Sequence, residues 1–116
     1  MLRILLAFFL LFCISSVQAD CLSSSRWTGV NLAGAEFAPH AIPGKLNENY
    51  TYPTDKTLLY FQDQGANVFR LPILWERIQS RPLSDLDEQH LIQLNRLIRF
   101  AEAHQLCLVL DLHNYG

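Results

Sequence analysis

One segment near the end of the chain constrains the fold more than any other. Residues 106–110 read Leu-Cys-Leu-Val-Leu and are apolar at every position, and the polar stretch Asp-Leu-His-Asn-Tyr-Gly follows them directly. A strand with one wet face alternates apolar and polar residues, whereas a parallel strand covered on both faces is apolar throughout. The segment therefore predicts a buried parallel strand over residues 106–112, which is typical of an α/β fold.

Two further segments predict helices between the strands. Thr54 follows a proline and is a good N-cap for a helix whose apolar side is residues 58–61 and which Gly65 would end. Ser84, with Asp87 three positions later, resembles a capping box at the start of a second helix. That second helix carries an apolar stripe at helical spacing, formed by Leu91, Leu94, Ile98 and Ala101.

Two shorter segments, residues 27–32 and 67–71, complete the set of predicted strands, and Pro72 is expected to end the second one. The order along the chain is strand, loop, helix, strand, helix, strand. Two successive strand–helix–strand units predict a parallel sheet with right-handed crossovers. Three strands alone would leave sheet edges and helix faces uncovered. We therefore expect residues 20–116 to be the opening portion of a larger α/β domain.

Polar side chains follow the three predicted strands. Asn31 and Glu36 lie near the end of the first strand, Arg70 ends the second, and Asp111 and His113 end the third. The carboxyl ends of parallel strands are where functional groups collect in α/β proteins. Arg70 has two interpretations that the sequence does not separate. It forms a structural salt bridge to Asp111 or another acid, or it lines a pocket and keeps a catalytic carboxylate ionised.

Asp111 and His113 are two positions apart on a strand, so their side chains leave it on the same face. Three interpretations stay open: two ligands of a hydrolytic metal site, a histidine on the rim of a sugar or small-molecule cleft, or a partly buried histidine hydrogen-bonded to Asp111. No third ligand is recognisable among His40, His90 and His104. The sequence therefore predicts neither a metal nor another cofactor.

The segment after the second strand contains an aromatic and a charged pair. Trp75 is either a stacking surface for a sugar ring or a packing residue. Glu76 beside Arg77 reads as a loop charge or a local ion pair. Glycoside hydrolysis needs two carboxyl groups that face one bond at a defined separation, and the sequence does not establish such an arrangement for Glu36 and Glu76.

The N-terminus and the composition bear on location and partners. Arg3, the apolar residues 4–14 and the small residues before Asp20 predict a signal peptide over residues 1–19 and a secreted protein. That apolar run is well short of the ~20 residues of a spanning helix, so no membrane partner is expected after cleavage.

The chain has nine Lys and Arg and eleven Asp and Glu, without a basic run, which disfavours nucleic acid as a partner. An oxidising compartment allows a disulfide between Cys21 and Cys107, which the sequence does not decide.

Four stretches together resemble the start of the secreted cellulases of glycoside hydrolase family 5. They are GVNLAGAEF (29–37), YTYPT (50–54), GANVFRLPILWERIQ (65–79) and VLDLHNYG (109–116), and their order and spacing agree with the family. Leu32 and Ala33 depart from the Glu-Ser often seen at that point. The resemblance implies a (β/α)₈ barrel, which typically needs ~250 residues. The chain would hold the first three strands and two helices of that barrel.

The resemblance also implies retaining hydrolysis of a β-1,4-glucan by two glutamates, which end strands four and seven. Residues 20–116 would contain neither, so no residue here is predicted to be catalytic, and Glu36 and Glu76 are not that pair. The residues predicted to bind the polysaccharide substrate are Arg70, His113, Asn114 and Tyr115. We expect residues 1–116 alone to be inactive and, with much apolar surface uncovered, not to form a stable monomer. The alternatives are a mannanase or xyloglucanase of the same family, a non-catalytic carbohydrate-binding fragment, and a metal-dependent barrel hydrolase.

Overall fold

The computed structural model describes residues 26–114 of the chain. The predicted signal peptide, Cys21 and Tyr115 lie outside the described residues. Within them the chain forms three strands and three helices. In order these are β1 (Gly29–Asn31), α1 (Asp55–Asp63), β2 (Val68–Ile73), α2 (Trp75–Ile78), α3 (Glu88–Ala103) and β3 (Cys107–Leu112).

The three strands form a parallel sheet in the order β1-β2-β3. Asn31 pairs in register with Arg70, and Pro72 pairs with Asp111. The prediction of a parallel sheet built from two strand–helix–strand units is confirmed. Because all three strands run the same way, their carboxyl ends meet at one edge of the sheet, where the polar residues of the sequence lie.

The strand boundaries differ from the prediction at β1 and β2. β1 has only three residues, and β2 continues through Pro72 to Ile73, so the prediction that Pro72 ends the strand is wrong. A proline fails to donate one hydrogen bond but keeps a backbone shape that a strand tolerates. The ladder in fact extends one step further, since the His113 N–H donates to the Ile73 carbonyl at 2.8 Å.

The predicted end of α1 is confirmed, and so is its beginning. The Thr54 side chain accepts a hydrogen bond from the Thr57 N–H, and Gly65, just after the C-cap, has a φ of 93°. The capping box proposed for α3 is wrong. Asp87 is itself the N-cap and accepts from the His90 N–H at 3.1 Å, whereas the Ser84 hydroxyl donates to the Arg81 carbonyl. The aspartate lies directly before the helix and reaches its free N–H groups, so it displaces the serine.

The buried faces of the helices are also shifted from the prediction. On α3 the buried residues are His90, Leu94, Leu97 and Ala101, and Ile98 lies at the exposed margin. On α1 only Leu58 is buried, while Leu59 and Tyr60 are exposed. The four-residue helix α2 was not predicted. The α3 stripe is rotated because a histidine occupies a core position that the apolar pattern does not count.

The helices cover one face of the sheet. Phe69 and Leu71 of β2 are completely buried and share a core with Leu58 and Leu97. Arg70, between them, leaves the strand on the opposite face, because successive strand residues point to opposite sides. This alternation places Arg70 on the open face of the sheet.

β3 is an edge strand of the described sheet, and Val109, Leu110 and Leu112 are exposed. The expectation that both of its faces are covered is therefore wrong for residues 26–114, where these three residues remain 49%, 43% and 57% exposed. The uncovered sheet edge that we expected from three strands is present. Cys107, at the start of β3, is disulfide-bonded, and the other cysteines of the chain lie outside the described residues. None of the described helices combines the length and the apolar character that crossing a membrane requires.

Candidate functional site

Arg70 is the centre of a polar cluster at the carboxyl edge of the sheet. Its Nη1 donates to the Asn31 Oδ1 on β1, and its Nη2 donates to the Asp111 Oδ2 on β3. The His113 Nδ1 lies 3.0 Å from the same Asp111 oxygen and 3.3 Å from the Arg70 Nη2. The strand register brings these residues together, since Asn31 lies opposite Arg70 and Asp111 opposite Pro72.

The cluster is partly open to solvent. The side chains of Arg70, Asp111 and His113 are 41%, 30% and 39% exposed. The salt bridge between Arg70 and Asp111, one of the two interpretations of this arginine, is therefore formed, but on an accessible face rather than in the core. Charge is balanced within the pair, and Asn31 holds the second branch of the guanidinium. The site is a fixed array of hydrogen-bonding groups.

His113 contacts both members of the salt bridge through one ring nitrogen. Its Nδ1 lies 3.0 Å from the Asp111 Oδ2 and 3.3 Å from the Arg70 Nη2. A protonated Nδ1 donates to the Asp111 carboxylate, and an unprotonated Nδ1 accepts from the Arg70 guanidinium. Either tautomer ties the imidazole to the Arg70 cluster. The expectation that Asp111 and His113 share a face is confirmed, and the contact with Asp111, one of the three interpretations of His113, is formed.

Asn114 connects the end of β3 to the end of β2. Its Oδ1 accepts from the Trp75 N–H at 3.2 Å, which satisfies the first free N–H of α2. Trp75 is exposed at the same rim. Tyr115, the fourth predicted substrate-binding residue, lies outside the described residues. Three of the four predicted residues are therefore at one edge of the sheet, and what they bind stays a prediction.

The two glutamates considered as a carboxylate pair occupy different environments. Glu36 is buried, and its Oε2 accepts from the Gly34 N–H at 2.8 Å, which fixes the turn after β1. Glu76 is exposed on α2. The local ion pair proposed between Glu76 and Arg77 is not among the ion pairs of residues 26–114. Arg77 is instead buried and donates to backbone carbonyls, because its side chain turns under the loop after β1.

A second polar cluster, which the sequence did not predict, lies beneath that loop. His90 is buried and its two ring nitrogens contact the hydroxyls of Tyr50 at 3.1 Å and Tyr52 at 2.8 Å. The Arg77 guanidinium carbon lies 4.3 Å from the centre of the Tyr50 ring. One feature of the sequence could have predicted that His90 is buried. It lies four residues before Leu94, and this helical spacing places it on the buried face of α3.

Burial sets the protonation of this second cluster. It lowers the pKa of His90, an effect that Asp87 opposes and Arg77 reinforces. It also raises the pKa of both tyrosines. His90 is therefore neutral at physiological pH, and one tyrosine donates to it while the other accepts from it.

No group of three or more His, Cys, Asp or Glu side chains that could hold a metal ion is present within residues 26–114. Asp111 and His113 contact each other and Arg70 instead. A positive guanidinium beside both of them is unfavourable for a divalent cation.

Together the fold and the cluster define a class of protein: an α/β protein of strand–helix–strand units with its polar site at the carboxyl edge of a parallel sheet. Comparison with known proteins identifies the family. The family profile described as Cellulase (glycosyl hydrolase family 5) matches residues 24–116. The chain belongs to glycosyl hydrolase family 5, which confirms the resemblance seen in the sequence.

Individual relatives agree with this assignment. Endoglucanase gh5-1 of Neurospora crassa is 35% identical over 92 residues, which cover 78% of this chain and 24% of the relative. The crystal structure of the endo-beta-1,4-glucanase Xac0029 from Xanthomonas axonopodis pv. citri superposes with a TM-score of 0.73 at 40% identity, covering 78% of this chain and 28% of that one. The structure of XacCel5A in complex with cellopentaose superposes with a TM-score of 0.73 at 44% identity, covering 77% of this chain and 28% of that one. The chain thus spans about a quarter to a third of the curated relatives it matches.

Proposed function

We propose that the protein carrying this sequence hydrolyses β-1,4-glucosidic bonds in cellulose or a related β-glucan. The observation that supports this most directly is the Arg70 cluster, an accessible array of donors and acceptors at the strand ends of a family 5 chain. The relatives named above are endoglucanases, and one of them was solved with cellopentaose, a β-1,4-linked glucose oligomer. Mannan and xyloglucan are the alternative substrates.

In the proposed mechanism, the segment forms part of the floor of a cleft in a (β/α)₈ barrel. Two glutamates outside it, one acid/base and one nucleophile, carry out retaining hydrolysis. Arg70 contributes a positive charge to that floor, which favours the ionised form of the nucleophilic carboxylate. His113, which Asp111 and Arg70 hold in place, forms a hydrogen bond with a sugar hydroxyl. Asn114 and Tyr115 line the same rim.

Glu36 and Glu76 take no part in this chemistry. Glu36 is committed to the Gly34 turn, and Glu76 lies on α2. Residues 1–116 by themselves are accordingly proposed to bind sugar weakly at most and to release none. Residues 1–19 are proposed to direct export and to be removed before Asp20.

The test uses the complete protein encoded by the gene, harvested from the culture medium, with its N-terminus sequenced. Carboxymethylcellulose, mannan and xyloglucan are compared by release of reducing sugar, with and without a chelator. We expect activity on the cellulose derivative that survives the chelator, from a product that begins at Asp20. Binding without hydrolysis would contradict the proposal in favour of a carbohydrate-binding protein, and loss of activity with chelator would favour the metal-dependent alternative.

A matched pair of variants tests the site itself. Arg70→Met should lower kcat/KM at least about a hundredfold, because a small displacement of oriented groups has an effect of that size. Arg99→Met makes the same change at an exposed position on α3 and should leave kcat/KM unchanged. Equal activity of the two variants would refute the role of the Arg70 cluster.

A further inference from the structure

One buried side chain binds five backbone carbonyls of the long segment between β1 and α1. Arg77 on α2 is only 2% exposed. Its Nη1 donates to the Ala35 carbonyl at 2.8 Å and its Nε to the Pro43 carbonyl at 3.1 Å. Its Nη2 reaches three more carbonyls between them, those of Phe37 at 2.6 Å, Ala38 at 2.9 Å and Ala41 at 3.4 Å. We call residues 35–43 the rim loop.

The chemistry of this contact requires arginine. Buried charge is tolerated only when it is paired or fully hydrogen-bonded, and no ion pair of Arg77 is found within residues 26–114. Backbone carbonyls take the place of a carboxylate. A guanidinium has five N–H donors in a planar fork, whereas a lysine ammonium has three on a flexible stem. A lysine could therefore hold only part of the rim loop.

The rim loop does not hold its shape by its own backbone. Ala38 has a φ of 50°, a left-handed conformation that an alanine adopts only when its surroundings enforce it. Its carbonyl is one of the five that Arg77 binds. Backbone hydrogen bonds inside the loop are few, the Ala41 N–H to the Ala38 carbonyl at 2.9 Å being one. The arginine therefore supplies the enforcing contacts.

The far side of the guanidinium is also supported. The Tyr50 ring lies under it at 4.3 Å, and the Tyr50 hydroxyl contacts His90 on α3. The arginine is thus held between the rim loop and a residue anchored to the longest helix. These contacts fix the position of the guanidinium.

The rim loop stands at the same edge as the Arg70 cluster. β1 ends at Asn31, which is hydrogen-bonded to Arg70, and the rim loop begins four residues later. α2, which carries Arg77, follows β2 at that edge, and the N–H of its first residue, Trp75, donates a hydrogen bond to Asn114. The Phe37 ring on the loop is 51% exposed although its carbonyl is bound by Arg77. An exposed aromatic ring on a fixed backbone offers a stacking surface to a sugar.

We propose that Arg77 is a positioning residue for substrate binding, which sets the rim loop and its Phe37 ring beside the Arg70 cluster for contact with glucose units away from the bond being cleaved. Arg77 itself does not touch the substrate. The inference rests on the proposed function, because it assigns the rim loop to the same glucan. We expect these remote contacts to act equally on bound substrate and transition state, and the loss of such uniform binding raises KM and leaves kcat nearly unchanged.

The experiment compares Arg77→Ala, Arg77→Lys and a control in the complete protein on a soluble β-glucan. We expect Arg77→Ala to raise KM roughly tenfold with kcat within about twofold, and Arg77→Lys to raise KM less. Methylguanidine added at millimolar concentration should restore the KM of Arg77→Ala by filling the vacated site. The control is Arg96→Ala, since Arg96 also ties this segment to a helix, through the Pro53 carbonyl and Asp55, but at the end next to α1. Its KM should not change.

Several outcomes would overturn the inference: an unchanged KM in folded Arg77→Lys and Arg77→Ala, a fall in kcat equal to that in kcat/KM, or an equal rise in KM in Arg96→Ala. If Arg77→Ala does not fold, Arg77→Lys decides. If the unaltered protein has no glucanase activity, the proposed function fails, and hydrogen exchange then tests Arg77 separately. Faster exchange confined to residues 35–43 in Arg77→Lys would support its positioning role, and unchanged exchange there would overturn it.

Discussion

The buried contact between His90 and two tyrosines gives the sharpest prediction about stability. His90 is 3% exposed and meets one hydroxyl at each ring nitrogen. His90→Phe keeps an aromatic ring that stacks on Tyr50, as the histidine does with ring centres 5.1 Å apart, but it leaves both hydroxyls without this partner. A buried polar group that loses its partner costs about 1–3 kcal/mol. Two such groups predict a loss of about 2–6 kcal/mol, a large part of the ~5–15 kcal/mol by which domains are stable.

The same reasoning predicts a rescue. Replacing all members of a buried hydrogen-bonded set by apolar groups of similar shape is close to neutral. The triple variant Tyr50→Phe, Tyr52→Phe, His90→Phe should therefore recover most of the stability that His90→Phe loses. The free energy of unfolding is measured by urea titration of the complete protein near pH 8, where the histidine is neutral in both states.

The control is His104→Phe, which makes the same substitution at a less buried histidine that stacks on Phe100 with ring centres 4.1 Å apart. It should change stability by about 0.5 kcal/mol or less. A loss below about 0.5 kcal/mol for His90→Phe, or a triple variant as unstable as the single one, would show that the tyrosine hydroxyls do not depend on His90 and refute the reasoning.

The pH dependence of stability and the β1–β2 contact can each be tested. Burial lowers the pKa of His90, against the influence of Asp87 and with that of Arg77, so as pH falls below about 6.5 the unfolded chain takes up the proton first. Stability is therefore complete above that pH and declines below it, and urea titrations should show a shallower decline in His90→Phe. Gly29→Ala would place a Cβ 2.3 Å from the Val68 carbonyl oxygen, which forces β1 away from β2. We expect it to lower the melting temperature of the complete protein by several degrees, and an unchanged melt would contradict the β1–β2 register.

The sequence predicts well those features that depend on local chemistry. Thr54 and Gly65 mark the ends of α1 because a side-chain cap and a left-handed turn have residue preferences of their own. The parallel sheet follows from the alternation of strand and helix. The α3 face was misplaced because hydrophobic periodicity scores His90 as polar, and only the fold shows that Tyr50 and Tyr52, some forty residues earlier, provide its partners.

The candidate site divides in the same way. Arg70, Asp111 and His113 were predictable as neighbours, because parallel strands bring their carboxyl ends to one edge whatever the loops do. Arg77 was not predictable, since its five partners are backbone carbonyls. Every residue has a carbonyl, so no residue type in the rim loop signals the contact. A local ion pair with the adjacent Glu76, one of the two interpretations of that charge, is not formed within residues 26–114.

Substitution of Arg70 and substitution of Arg77 should affect the stability of the fold differently. Arg70 is accessible and compensated by Asp111, so solvent screens the pair and its loss should disturb the fold little. Arg77 is buried, and without it five carbonyls and a left-handed Ala38 lose the contacts that hold them. A screen for variants of low activity would therefore find both positions but for different reasons. Folded but inactive protein is expected for variants of Arg70, and poor yield or weak substrate binding is expected for variants of Arg77. Measuring folding together with activity therefore distinguishes a residue of the candidate site from a residue that supports it.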